Sequence, residues 1–321
     1  VLSDGSVVMF SKSFGLQGKL TLSHSTIPGV IDTHIDVPAE ASPPGLRYGQ
    51  TLNLSDGGVL RDNFSVTGAS LNVTGGSAEA VVIYESEANI SSGIFSDSFD
   101  IINDNSVTIS GGEFKTLGVS LDNHVEISGG RFGLFRANGS ELVLHGTEFR
   151  IDGVPISGLE SEGSTVNLRS ISSDSIFTGT LADGSVFAFS GQRRDRLLGR
   201  DLILSASLLP SPPAVIDVPS GPVPSGLRQG QVLNLHAGGH LGHYFTAVGS
   251  TIEMAGGSIG DGFELVDSQV KIVTGVVGDE FGVLSGSQML VEGGTYGNYG
   301  YVGHGGSLVI RSGSFGFGLK V

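Results

Sequence analysis

The feature that most constrains this chain is a short segment that returns about every 18 residues. Val107-Thr-Ile-Ser-Gly-Gly-Glu-Phe114 recurs as Val125-Glu-Ile-Ser-Gly-Gly-Arg-Phe132 and, more loosely, as Leu142-Val-Leu-His-Gly-Thr-Glu-Phe149. It comes back as Ile252 to Ile259, Val270 to Val277, Met289 to Tyr296 and Leu308 to Phe315. The apolar residue closing each unit falls at Ala78, Phe95, Phe114, Phe132 and Phe149, steps of 17, 19, 18 and 17. In the second half it falls at Ile259, Val277, Tyr296 and Phe315, steps of 18, 19 and 19. Such a unit is too short for two helices and a turn. Its apolar residues alternate, as in Val107 and Ile109 or Ile252 and Met254, which is the pattern of a strand with one buried face. One unit has room for about three short strands, and a single coil cannot bury its own apolar face, so coils must stack. The expected fold is all-β, a parallel β-helix or solenoid with inward residues in ladders. One of these is a phenylalanine ladder through Phe95, Phe114, Phe132 and Phe149. The wobble of the steps, without a strict hexapeptide rhythm, favours a right-handed coil.

A longer repeat contains the shorter one. Ser3-Asp-Gly-Ser-Val-Val-Met-Phe10 matches Ala182-Asp-Gly-Ser-Val-Phe-Ala-Phe189, and Ile35-Asp-Val-Pro38 matches Ile216-Asp-Val-Pro219. Gly45-Leu-Arg-Tyr-Gly-Gln-Thr-Leu-Asn-Leu54 matches Gly226-Leu-Arg-Gln-Gly-Gln-Val-Leu-Asn-Leu235. The expected organisation is a lead-in segment with a Pro-rich loop over 1–48 and a first stack over 49–180. A second lead-in over 181–229 and a second, shorter stack over 230–321 follow. The two copies start and stop at different points of the unit, so the chain reads as an excerpt of a longer array or one completed by neighbouring chains. The stretches Pro28 to Pro44 and Pro210 to Pro224 cannot continue a central ladder and read as extended surface loops. Asp4-Gly5 and Asp183-Gly184, between apolar alternations, read as tight turns. A short helix has room only near Arg193 to Leu198.

Composition narrows the function classes. The chain has 321 residues and 52 glycines, without the Gly-X-Y period of collagen. Val, Ile, Leu and Phe recur too often for a disordered tail. A net charge of -15 argues against nucleic acid, which requires a basic stripe, and against an anionic membrane surface. The absence of cysteine removes disulfides, thiol nucleophiles and cysteine zinc sites. No apolar stretch reaches the length of a membrane span, and Val1-Leu2-Ser3-Asp4 carries no signal-peptide features.

With ADGSVF, a Pro segment, GLRxGQxLNL and repeated SGG-x-F coils, nearly the whole chain resembles a family of large, secreted, glycine-rich repeat proteins of environmental bacteria. The resemblance implies export and an extracellular or cell-surface setting. It implies no activity and no catalytic residues.

Candidate sites follow from residue type and repeat position. Asp97, Asp261, Asp279 and Asn298 sit two residues after the coil marker. In consecutive coils such oxygens would stack at ~4.8 Å, a candidate calcium ladder, since calcium prefers oxygen ligands. Asp and Asn also suit left-handed turns, and that local role is the favoured reading. Calcium is the only cofactor suggested. Ser250, Ser268, Ser287 and Ser307 form a turn column with no recurring base, which fits a hydroxyl ladder rather than a nucleophile. His236, His240 and His243 fall within eight residues but have no counterpart in the first copy, which has Ser55, Val59 and Asp62. Arg193, Arg194, Arg196 and Arg200 are the one basic cluster, the best hint of a uronate groove, and read first as a solvated loop. Glu160/Glu162 and Asp279/Glu280 are carboxylate pairs of the kind that flank a glycosidic bond. Tyr296, Tyr299 and Tyr301 are the one tyrosine cluster. Phe315, Phe317, Leu319 and Val321 suit a buried junction with a further coil.

Two functions fit these features. The favoured one is a structural or surface scaffold that stacks end to end as a filament, fibre or surface layer, with further copies of itself as partner. The alternative is a carbohydrate-active β-helix, a polysaccharide lyase or glycan-binding module with an extracellular polysaccharide as partner.

Overall fold

The computed structural model describes residues 33–168, 171–172, 174–191, 195–198 and 201–321. Residues 1–32, with the Asp4-Gly5 turn, lie outside them. The chain is all-β, with parallel strands stacked as a β-solenoid of about 15 turns at ~18-residue spacing. None of the described residues forms a helix long and apolar enough to cross a membrane.

The first stack is built from rungs His34–Val37, Thr51–Leu54, Ser70–Val73 and Glu87–Ile90, then from the leading parts of Ser106–Ser120, His124–Asn138 and Glu141–Ile151. Each pairs in parallel with the next. Asp201–Ala206 adds the last rung beside Glu141–Ile151. The second stack runs through Val215–Val218, Val232–Leu235, Thr251–Ile259, Gln269–Val277, Gln288–Val291 and Ser307–Ile310, again all parallel. Alternation decides which face is buried: Leu52, Leu54, Leu71, Val73, Val107 and Ile109 point inward and are buried, while the residues between them face out.

The Ser-Gly-Gly motif makes the corner of the coil. A Cβ on Gly111 would collide with the Ser91 carbonyl of the coil below, and Gly112 holds φ +104°. The first glycine permits close approach and the second a left-handed conformation. The GLRxGQ motif closes another corner. Leu46 and Leu227 enter the core, and the Gln50 and Gln231 side chains accept the amides of Arg47 and Arg228 at 2.9 and 2.8 Å.

The phenylalanine ladder forms and then stops. Phe95, Phe114 and Phe132 are in register and stack at 4.7 and 5.4 Å between ring centroids. Phe149 departs from it and stacks instead on Phe177 at 6.1 Å. Beyond Gly146 its strand leaves the solenoid path and pairs antiparallel with Ile176–Leu181. That strand and Val186–Ser190 form a hairpin through the Asp183-Gly184 turn, and Phe177, Phe187 and Phe189 of the hairpin fill the end of the first core. Thr165–Leu168 pairs antiparallel with Asp201–Ala206 and closes the last edge.

Three expectations need correction. Each Pro stretch encloses a four-residue strand, so among the described residues the stacks reach back to His34 and Val215, ahead of 49 and 230. The prolines flank these strands without entering them, which leaves the ladder intact. The 181–229 segment is not a lead-in alone, because Val186–Ser190 and Asp201–Ala206 complete the first stack. Residues 196–198, where a helix had room, are a strand paired with Arg136–Asn138.

The stacks lie side by side and run in opposite directions. Glu148 meets Arg228, and Tyr244 lies against Gly133. Further along, Asp261 and Asp279 share a cleft with Glu113 and Ile94. The contact positions thus climb in one stack while they descend in the other. The capping hairpin lies between the two. Its phenylalanines face the first core, while Ile176 and Ala188 pack on Val266 and Leu284 of the second stack. With cores on both faces, its two strands are buried at every position, Thr178, Thr180 and Ser190 included.

Candidate functional site

Three of the four residues proposed for calcium form one column. Asp261 Oδ1 accepts the Asp279 amide at 2.9 Å, and Asp279 Oδ1 accepts the Asn298 amide at 2.7 Å. Asn298 Oδ1 accepts the Phe317 amide at 3.2 Å, and His243 Nδ1 begins the column by accepting the Asp261 amide at 3.1 Å. Each side chain caps the same turn in the next coil, a role suited to the short reach of Asp and Asn. The glycine before each member is needed because a Cβ on Gly278 or Gly297 would collide with the carboxylate oxygen below. Asp97 belongs to the first stack, where its amide donates to the Glu79 carbonyl. Among the described residues, no group of three or more His, Asp and Glu is arranged to hold a metal ion.

This column forms one wall of a cleft of about 260 Å³ between the stacks. His243, Tyr244 and Glu280 join it, and Ser96, Glu113 and Lys115 of the first stack face it. Glu113 is engaged by Arg131. The Tyr244 ring is wedged between Gly133 and Gly262, where an added Cβ on either glycine would clash. A second groove, of about 440 Å³, is floored by the glycine corners of the first stack, with Asp56, Glu113, Arg131 and Asp183 along it.

The serine column is real for Ser250, Ser268 and Ser287, which are buried and linked by amide-to-hydroxyl bonds of 3.1 and 3.2 Å. Ser307 does not belong to it. It is exposed on its strand, and Gly306 takes the equivalent turn position. The first stack has a matching column that the sequence reading missed. Ser86, Asn105, Asn123 and Ser140 are buried, and the Ser86, Asn105 and Asn123 amides donate to the next member at 2.9, 3.0 and 3.3 Å. Its signal was a polar residue two places before each inward apolar one.

The remaining candidates do not converge. His236 is exposed, His240 contacts Ser258 and His243 serves the aspartate column. Arg193, Arg194 and Arg200 lie outside the described residues, and Arg196 contributes backbone pairing to Arg136. Glu160 accepts the Gly158 amide, a bond that lowers its pKa, while Glu162 accepts the Leu208 amide. The tyrosines divide: Tyr296 is buried on Phe315 at 4.3 Å, Tyr301 donates to the buried Glu264 at 2.7 Å, and Tyr299 is half exposed. Burial pushes the Tyr296 phenol far above its usual range. Phe315 and Leu319 pack on the second core, whereas Phe317 and Val321 are exposed.

A charged cluster on the first stack also escaped the sequence reading. His124 approaches Glu126 and Glu141 at 3.1 Å each, and His145 Nε2 lies 3.4 Å from the other Glu126 oxygen. The buried Nε2 has no hydrogen-bond partner among the described residues, and it pairs ionically with Glu126 only when the imidazole is protonated. The hydrogen bond from His124, aided by the nearby His145 charge, holds the Glu126 carboxyl below its ordinary value. The 17-residue step from His124 to Glu141 is what brings them together.

In comparisons with known protein families, curated proteins and solved structures, this chain matches none.

Proposed function

We propose that this chain is an extracellular structural or surface scaffold that assembles end to end through stacked coils. The observation that carries this reading is how its polar side chains are used. The aspartate, serine and asparagine residues that stand out in sequence form ladders that bond one coil to the next. Such ladders stiffen a solenoid and leave little chemistry directed at a substrate. The rung Ser307–Ile310 supports assembly: Ile310, in register with the buried Val291, is about half exposed, and a further parallel coil in the same register would cover it. The test is negative-stain electron microscopy of the purified chain with and without EDTA. Rods or fibres whose length grows with concentration are expected. Monodisperse single particles across the range would overturn the scaffold reading. Loss of fibres in EDTA would show that assembly requires a divalent cation.

A glycan-binding reading rests on the 440 Å³ groove, whose polar walls cross several coils of the first stack. It predicts retention of the protein on an immobilised uronate polysaccharide and, for a lyase, release of unsaturated products that absorb in the ultraviolet.

A further inference from the structure

An apolar cleft stands where the first stack gives way to the second. Its volume is about 700 Å³, within the ~300–1,000 Å³ of typical ligand sites. Pro210, Pro212 and Pro213 form one wall and Pro222, Val223 and Pro224 another, and the strand Val215–Val218 lies between.

One edge of that strand is paired. The carbonyls of Ala214 and Val218 accept the amides of Val232 and His236 at 2.8 and 2.9 Å. In a parallel ladder this turns the backbone groups of Val215 and Asp217 the other way. The Asp217 carbonyl accepts the Gly221 amide at 2.6 Å. The Val215 carbonyl and the Asp217 amide have no partner among the described residues. The proline walls do not satisfy this edge, since proline has no N–H to give. The cleft is also negative. The Arg228 charge is taken up by Glu148 at 2.8 Å. Asp217 and Asp183, which also line the cleft, accept only neutral donors, Asn234 and Gly130 among them.

We propose that this cleft binds an extended peptide segment with alternating apolar and basic side chains. The segment adds as a strand to the free edge, with its backbone on the Val215 carbonyl and the Asp217 amide. Its apolar side chains lie on the proline faces, and its basic ones meet Asp217 and Asp183. This inference does not depend on end-to-end assembly.

Fluorescence polarisation with a fluorescein-labelled hexapeptide of alternating lysine and valine tests it on the whole chain. Saturable binding is expected. Backbone N-methylation of the peptide should weaken it by roughly tenfold or more, because it removes the donors of the added strand while keeping the side chains. Asp217→Lys, on an exposed side chain, should weaken the lysine peptide by roughly tenfold and favour a glutamate-valine one. The proposal is overturned if the parent peptide does not saturate, if the N-methylated peptide binds equally well, or if Asp217→Lys changes nothing. Uptake of a small apolar dye without peptide binding would also overturn it.

Discussion

Replacing Phe114 with alanine tests the physical basis of the fold. Phe114 is fully buried, its ring lies 4.7 Å from Phe95 and 5.4 Å from Phe132, and it meets Phe99 edge-on at 5.6 Å. A buried Phe→Ala change costs about 3–5 kcal/mol, and the lost aromatic pairs place this site in the upper part of that range. Because each coil touches only its neighbours, the loss should be local. About 4 kcal/mol corresponds to roughly a thousandfold, so amides of the rungs Glu87–Ile90, Ser106–Ser120 and His124–Asn138 should exchange about that much faster. Amides of Thr251–Ile259 and Gln269–Val277 should be unchanged. Phe114→Leu, which keeps most of the volume, should cost less than about 1.5 kcal/mol. Hydrogen exchange read by mass spectrometry is the assay. A loss below about 1 kcal/mol for Phe114→Ala, or equal deprotection of both stacks, would refute the reasoning.

Other perturbations probe separate terms. Burial raises the Asp100 pKa, against weaker opposing effects of Ser98 and Arg136. The ionised form therefore penalises the folded state at neutral pH; the penalty fades as pH falls through the raised folded value and is gone below the unfolded value of ~3.9. Asp100→Asn should raise Tm at pH 7 and leave it unchanged at pH 3 by calorimetry. Glu126 has the opposite sign. Its depressed pKa stabilises the fold above the unfolded value of ~4.3, and that contribution is lost as pH falls through the lower folded value. Glu126→Gln should flatten that part of the urea-midpoint profile between pH 2 and 6; an unchanged profile would remove His124 as its cause. Arg228→Met leaves the half-buried Glu148 without its cation and should cost about 1–3 kcal/mol in urea melts. Proteolysis between the stacks should accelerate with it, and an unaltered cleavage rate would show that the pair does not hold them together. Gly278→Ala should displace the Asp261 carboxylate, and wild-type stability by thermal melt would disprove the steric role assigned to that glycine.

The coil, its period and its inward residues were legible because they are local. Val107 and Ile109 alternate within one strand, and the 18-residue return places them above the same pair in the next coil. The Phe95–Phe114–Phe132 ladder and the Asp261–Asp279–Asn298 column follow from that arithmetic alone. The same arithmetic failed at Phe149, where the strand leaves the helical path. It also failed at Ser307, shifted by one place, and at the Pro stretches, where the strands Ile35 and Ile216 belong to were hidden by their flanks.

What no repeat could reveal is how distant coils meet. The opposed directions of the stacks go with a hairpin that is buried on both faces, and a sequence does not say which core receives Phe187 and which receives Ala188. Glu148 and Arg228, or Gly133 and Tyr244, are partners only because that hairpin sets one stack against the other. Contacts between neighbours in a solenoid repeat with the coil and are written in its period. Contacts between stacks occur once and depend on the shape of both surfaces, so they are decided only when the chain folds.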